Sequence, residues 1–113
     1  MKQVEAIVPS VILDDVKERL SLVGVRGMTI CPVRVANTAV SATPGQTRAP
    51  HFALQGWAVR LRLVVVADDA VVGTIVNAML TVARRGDHDG HIFISPIDEV
   101  IRIRTGERDS DAL

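Results

Sequence analysis

The apolar positions change their period along the chain, and each change predicts an element. Val4, Ala6 and Val8 alternate with polar Gln3 and Glu5, the two-residue repeat of a strand with one buried face. The period then lengthens. Leu13, Val16, Leu20 and Val23 fall on one helical stripe, Asp14 and Asp15 stand in its first turn where carboxylates suit the helix dipole, and Gly24 ends it. Gly27-Met28-Thr29 leads into a second strand from Ile30 to Val35. In a third strand Val59, Leu61, Leu63 and Val65 point one way, while Arg60, Arg62, Val64 and Val66 point the other. Asp68 and Asp69 open a second helix, apolar nearly all round from Ala70 to Val82, which predicts cover on more than one side. Gly73 lies inside it, where alanine would be better by about 1 kcal/mol. A fourth strand runs from His91 to Ile94, and Pro96 stops it.

Each half therefore reads strand, paired aspartates, helix, glycine, strand. Two such units predict an α+β, ferredoxin-like domain: an antiparallel four-stranded sheet with two helices on one face. The second sheet face is then bare. Val64, Val66 and Phe93 are expected there as an apolar patch of the kind that marks a subunit interface, so a homo-oligomer is predicted. Residues 36–56, between the second and third strands, hold Ser41, Thr43, Pro44-Gly45, Thr47 and Pro50. So long a connection in a small domain reads either as a working loop or as a plain insertion.

At 113 residues the chain is one domain, 1–113, and with 48% hydrophobic residues it has the material for a core. Thirteen basic and thirteen acidic side chains leave no net charge, which argues against nucleic acid or an anionic membrane as the main partner. Only Phe52, Trp57 and Phe93 could stack on bases. The stretch from Ala70 to Ala83 falls short of the roughly 20 residues that span a bilayer, and Met1 to Glu5 lacks the apolar core of a signal peptide. A single cysteine, Cys31, can form no internal disulfide, so a cytoplasmic location is expected.

Candidate chemistry gathers near the C-terminal end. Arg102 and Arg104 alternate with Ile101 and Ile103, a pattern that puts both guanidinium groups on one face of a strand. Their planar forks suit phosphate or carboxylate, although a solvated sheet face balanced by acids has the same pattern. The turn Gly86-Asp87-His88-Asp89-Gly90-His91 can offer backbone N–H groups to phosphate oxygens. Its His88 and His91 with Asp87 and Asp89 also suggest the alternative of a trimeric divalent-metal-binding or metal-tolerance protein. Four ligands in one tight turn cannot all converge, however, and zinc sites draw on separated segments. No Ser-His-Asp, Cys-His or paired-carboxylate arrangement can be placed, the aspartate pairs read as helix starts, and His51 reads as solvated, so no enzyme is expected.

With these features in order, the sequence resembles the PII family of trimeric signal-transduction proteins. The resemblance rests on Leu13-Asp14-Asp15-Val16-Lys17-Glu18, Val23-Gly24, Gly27-Met28-Thr29, Asp89-Gly90, Ile92-Phe93 and the run from Ile101 to Glu107, and it covers both halves of the fold while leaving the loop outside. It implies a homotrimer with an adenine nucleotide in each of three clefts between subunits. Gly27, Met28, Thr29 and Val64 would surround base and ribose. Phosphates would sit on Asp89, Gly90 and His91, with Arg102 and Arg104 reaching across the interface. Residues 36–56 would be the effector loop, with Ser41, Thr43, Arg48, His51 and Trp57 as its candidate partner contacts.

The departures from the family pattern cluster at the root of that loop. Where the family has Gly-Phe-Gly-Arg-Gln, this chain has Val35-Ala36-Asn37-Thr38-Ala39, so the glutamine that helps hold magnesium and 2-oxoglutarate is absent. That argues against both as effectors, and no other cofactor is expected. A usual basic residue is Ala58, and the lysine after Asp-Gly is His91. With these cations lost, the cleft is expected to favour ADP or AMP over Mg-ATP. The chain has no tyrosine, which excludes tyrosyl nucleotidylation. Divergent relatives of this kind serve bicarbonate uptake, carboxysome-linked carbon fixation or metal efflux, so the regulated partner is expected to be a transporter or enzyme.

Overall fold

In the computed structural model, residues 1–36, 57–86 and 90–113 are described, Trp57 by its backbone alone. The elements follow as β1 (Lys2–Val8), α1 (Leu13–Leu22), β2 (Thr29–Ala36), β3 (Trp57–Ala67), α2 (Asp69–Arg85) and β4 (Ile92–Pro96). The sheet order is β2-β3-β1-β4, and every neighbouring pair is antiparallel. The two strands of each half never touch each other. Each helix carries its chain across a strand of the other half, and this interleaving makes all the neighbours antiparallel, the ferredoxin-like arrangement. Pro32 is tolerated because β2 is an edge strand that pairs only with β3.

The two-residue repeat sorts the sheet into two faces. Val4, Ala6, Val8, Leu63, Val65 and Ala67 are buried under Val16 and Leu20 of α1 and Val72, Ile75, Met79 and Val82 of α2. No polar or charged side chain is buried among the described residues. The cover is narrower than the apolar pattern implied. Val59 shares the parity of Leu61 and Leu63 yet is exposed, because it lies beyond the helices. Helix α2 likewise buries one stripe rather than its whole circumference: Gly73, Thr74, Asn77 and Thr81 are exposed, and a Cβ at Gly73 would meet open space.

Helix α1 ends as its glycine predicted. Gly24 adopts φ +91°, its N–H donates to Ser21 O at 3.1 Å, and the Val25 N–H reaches back to Leu20 O at 3.0 Å. This pair of reversed bonds is the Schellman closure, which requires the left-handed conformation glycine adopts without steric penalty. It turns residues 24–28 back toward the start of β2.

The run from Ile101 to Arg104 forms no strand, contrary to the alternating pattern. Gly106 N–H donates to Arg102 O at 2.8 Å, Arg102 N–H to Glu107 O at 2.9 Å and Asp109 N–H to Val100 O at 2.8 Å, folding residues 100–109 into a tight hairpin. Ile101 pairs with Arg108, and Gly106 takes φ +72° at the turn. Ile103 is fully exposed. Without a neighbouring strand, the alternation has no sheet face to sort onto.

Candidate functional site

A cleft of about 560 Å³ opens where β3 hands over to α2. Such a volume lies within the range of about 300–1,000 Å³ usual for small-ligand sites. Sheet register builds its floor: Thr29 stands opposite Val64, so β2–β3 pairing brings the Gly27-Met28-Thr29 segment onto a β3 residue distant in sequence. The Gly24 turn supplies one wall, with Arg26 at its rim, and Asp68 with the start of α2 supplies another. Arg102 closes the cleft from the hairpin, together with Ala112 and Leu113. Gly27, Met28, Thr29, Val64 and Arg102 therefore line one cavity within a single copy.

The Arg102 guanidinium is already engaged there. Its Nε and Nη2 donate to Ala112 O at 3.3 and 3.2 Å, and Nη2 also donates to Leu113 O at 3.4 Å. Arg104, placed in the hairpin turn, is exposed and does not line the cleft. The expected pair of guanidinium groups on one face is thus corrected to one arginine aimed inward and one outward.

The phosphate-turn candidates lie elsewhere on the chain. Asp89 falls outside the described residues, while Gly90 and His91 lead into β4, on the opposite edge of the sheet from β2. The His91 carbonyl accepts from Ile7 N–H at 3.2 Å. Gly90 passes so close that a Cβ there would stand 2.6 Å from Ile7 O, which makes glycine a steric necessity. Both border a smaller, mostly apolar cavity of about 190 Å³, not the Arg102 cleft. The His91 ring stacks on Phe93 with centroids 6.0 Å apart.

The uncovered sheet face carries Val64, Val66 and Phe93 as expected, Phe93 being 53% exposed. A diagonal ion pair between Glu5 and Arg62 crosses its middle. Glu5 holds the guanidinium still more firmly protonated than usual, by hydrogen bond first and charge second. Asp69, at the start of α2, is paired with the Met1 amine at 3.0 Å and lies near Lys2, which together hold its carboxyl below the usual range.

Arg26 and Asp68 were not singled out as site residues by the pattern. Arg26 makes no hydrogen bond or ion pair among the described residues. The available signal was its place as the one charged residue between Val23 and Thr29, directly before the Gly27-Met28-Thr29 motif. Loop candidates Ser41, Thr43, Arg48 and His51 lie outside the described residues, as do Asp87 and His88 of the metal alternative. Among the described residues no group of three or more His, Cys, Asp or Glu could hold a metal ion. No helix among them is long and apolar enough to cross a membrane.

The sequence model of the family described as nitrogen regulatory protein P-II matches residues 1–107. This chain belongs to the P-II family. It is 39% identical to the P-II protein of Synechocystis and 34% identical to P-II 1 of Escherichia coli, with all of both chains covered in each case. The solved structure of Arabidopsis thaliana PII bound to citrate superposes with a TM-score of 0.77 at 30% identity, covering 99% of this chain and 91% of that one. P-II proteins are regulators that act by binding small effectors and other proteins.

Proposed function

We propose that this P-II protein binds an adenine nucleotide in clefts shared by adjoining copies of a homotrimer and, through residues 36–56, controls a partner protein in the cytoplasm, a transporter or enzyme of carbon or nitrogen metabolism. One observation carries the reading: the base-site candidates Gly27, Met28, Thr29 and Val64 lie at the β2 edge, whereas Gly90 and His91 lie at the β4 edge. A nucleotide long enough to use both sets needs the β2 side of one copy against the β4 side of the next. Two different edges meeting is a heterologous contact, which closes into a ring of three when each copy is turned by a third of a circle. The exposed Phe93 and the half-buried Val64 and Val66 supply apolar area for that ring to bury. That a PII relative holds citrate is consistent with a small polyanion as ligand.

The phosphate end would rest on Gly90 and His91, with Asp89 preceding them, and on Arg102, with Arg104 reaching a neighbour. Thr38, Ala58 and His91 stand where the family pattern is basic, so fewer charges face the phosphates and ADP or AMP is favoured over Mg-ATP. Ala39 offers magnesium no oxygen, so Mg-2-oxoglutarate is not expected to act here.

Light scattering on the purified protein should return three times the chain mass, and calorimetry should give ADP or AMP affinity equal to or above that of Mg-ATP. The Arg102→Ala/Arg104→Ala double variant should lose most of that affinity. A monomer, or indistinguishable nucleotide binding by parent and variant, would overturn the reading; far tighter ATP binding would overturn the nucleotide preference alone.

A further inference from the structure

We propose that residues Asp109–Leu113 act as a tethered competitor for the cleft, holding the Arg102 fork on main-chain carbonyls until an anionic ligand displaces them. This deepens the effector-site reading above and rests on it for the nature of the ligand.

Three contacts carry the inference. Arg102 spends Nε and Nη2 on Ala112 O and Nη2 again on Leu113 O, the orientation a bound phosphate would otherwise command. Ser110 Oγ donates to Asp68 Oδ1 at 2.8 Å, pinning the segment's 3-10 turn across the start of α2. Ala112 and Leu113 themselves line the cavity and are half-buried in it.

The segment is built to move as a unit. Its root is the rigid 100–109 hairpin, closed by backbone bonds and by the Glu99–Arg108 ion pair, so Arg102 stays in place when the strap leaves. Asp109 marks the joint. Its φ of +55°, in the left-handed region that aspartate tolerates better than most side chains, bends the chain from the hairpin into the strap. The Ala112 carbonyl, which takes the two shorter bonds of the fork, is a neutral acceptor, and a phosphate accepting in its place forms the stronger, charge-assisted bond. What favours the strap is its tether, which raises its effective concentration at the fork to the order of millimolar.

Hydrogen–deuterium exchange on the full chain without ligand tests the lock, and calorimetry tests the competition. Ser110→Ala and Arg102→Ala should each speed exchange in residues 109–113 several-fold while leaving β1 and β3 unchanged. ADP should also speed exchange there in the parent. Deleting 110–113, which keeps the Asp109–Val100 bond of the hairpin, should tighten ADP binding about three- to tenfold, by removing the fraction of clefts occupied by the strap. Full-length Ser110→Ala should shift affinity in the same direction, guarding against a misfolded deletion. The proposal is overturned if neither substitution alters exchange, if ADP slows exchange in the segment, or if both strap variants bind ADP no tighter than the parent. Should no adenylate bind any form, the nucleotide reading fails, and inorganic pyrophosphate becomes the probe. Tighter pyrophosphate binding after deletion keeps the competitor, and no such gain removes it.

Discussion

The two faces of one sheet behave as different materials. Leu63 and Val64 are neighbours in β3, yet Leu63 is 0% exposed under the helices while Val64 stands on an uncovered face beside a Glu5–Arg62 ion pair. Where the helices cover it, the first face buries only apolar side chains, which serves cohesion within the chain. The other mixes apolar, charged and aromatic groups that a single copy leaves partly open, and the proposed assembly assigns recognition between chains to it. The same two-residue repeat produced both, so the fold's stability and the proposed assembly fall at alternate positions and can be perturbed separately.

The sharpest way to break this contrast is to truncate the neighbours in turn. Leu63→Ala should destabilise the chain by about 2–5 kcal/mol in chemical denaturation, the range for a core leucine whose cavity cannot collapse. Val64→Ala should change the same measurement, made on dilute protein, by less than about 1 kcal/mol while weakening self-association by sedimentation. Comparable losses from both would erase the distinction.

Gly90→Ala should come next. Its Cβ would meet Ile7 O at 2.6 Å, so the turn or the β1–β4 edge must shift, and about 1–3 kcal/mol of destabilisation with faster amide exchange in β4 is expected. Gly73→Ala should act with the opposite sign, raising stability by about 1 kcal/mol because the added methyl meets open space in a helix interior. A loss there would mean that a neighbouring copy packs against that side of α2.

The smallest effect is acid-dependent. The Met1 amine and Lys2 lower the Asp69 pKa, so the stabilisation is present above the ordinary carboxylate value of about 4 and is lost as pH falls through the lowered folded value. Asp69→Asn should therefore be slightly less stable than the parent near neutral pH and equal to it once Asp69 is protonated, as thermal melts across that range would register. A difference that persists unchanged into strong acid would assign the effect to something other than this charge.

Much of the architecture was legible from period and punctuation. Val4, Ala6 and Val8, the Val16–Leu20 stripe, the Gly24 stop and the faces of β3 all stand where local pattern put them, because burial on one side and a left-handed turn both constrain residue type directly. Cover was less legible. The apolar run of α2 implied enclosure all round, whereas its extent depends on how far α1 and the sheet reach. For the cleft, Gly27-Met28-Thr29, Val64 and Arg102 could be named as candidates, but the separation of Arg102 from Arg104 and the neighbourhood of Arg26 and Asp68 could not be read, since nothing local links them.

By itself, then, the amino-acid order determined the element sequence and the choice of core residues, and it marked Arg102 as a candidate anion contact, all from side chains within a few positions of one another. Only the tertiary structure decided that Ile101 to Arg104 would coil into a hairpin instead of joining the sheet. It likewise divided the candidate ligand groups between the two sheet edges and laid Ala112 and Leu113 on the Arg102 fork. Those outcomes depend on strand register and on which backbone groups find partners across long loops, and no repeat along the chain encodes that competition.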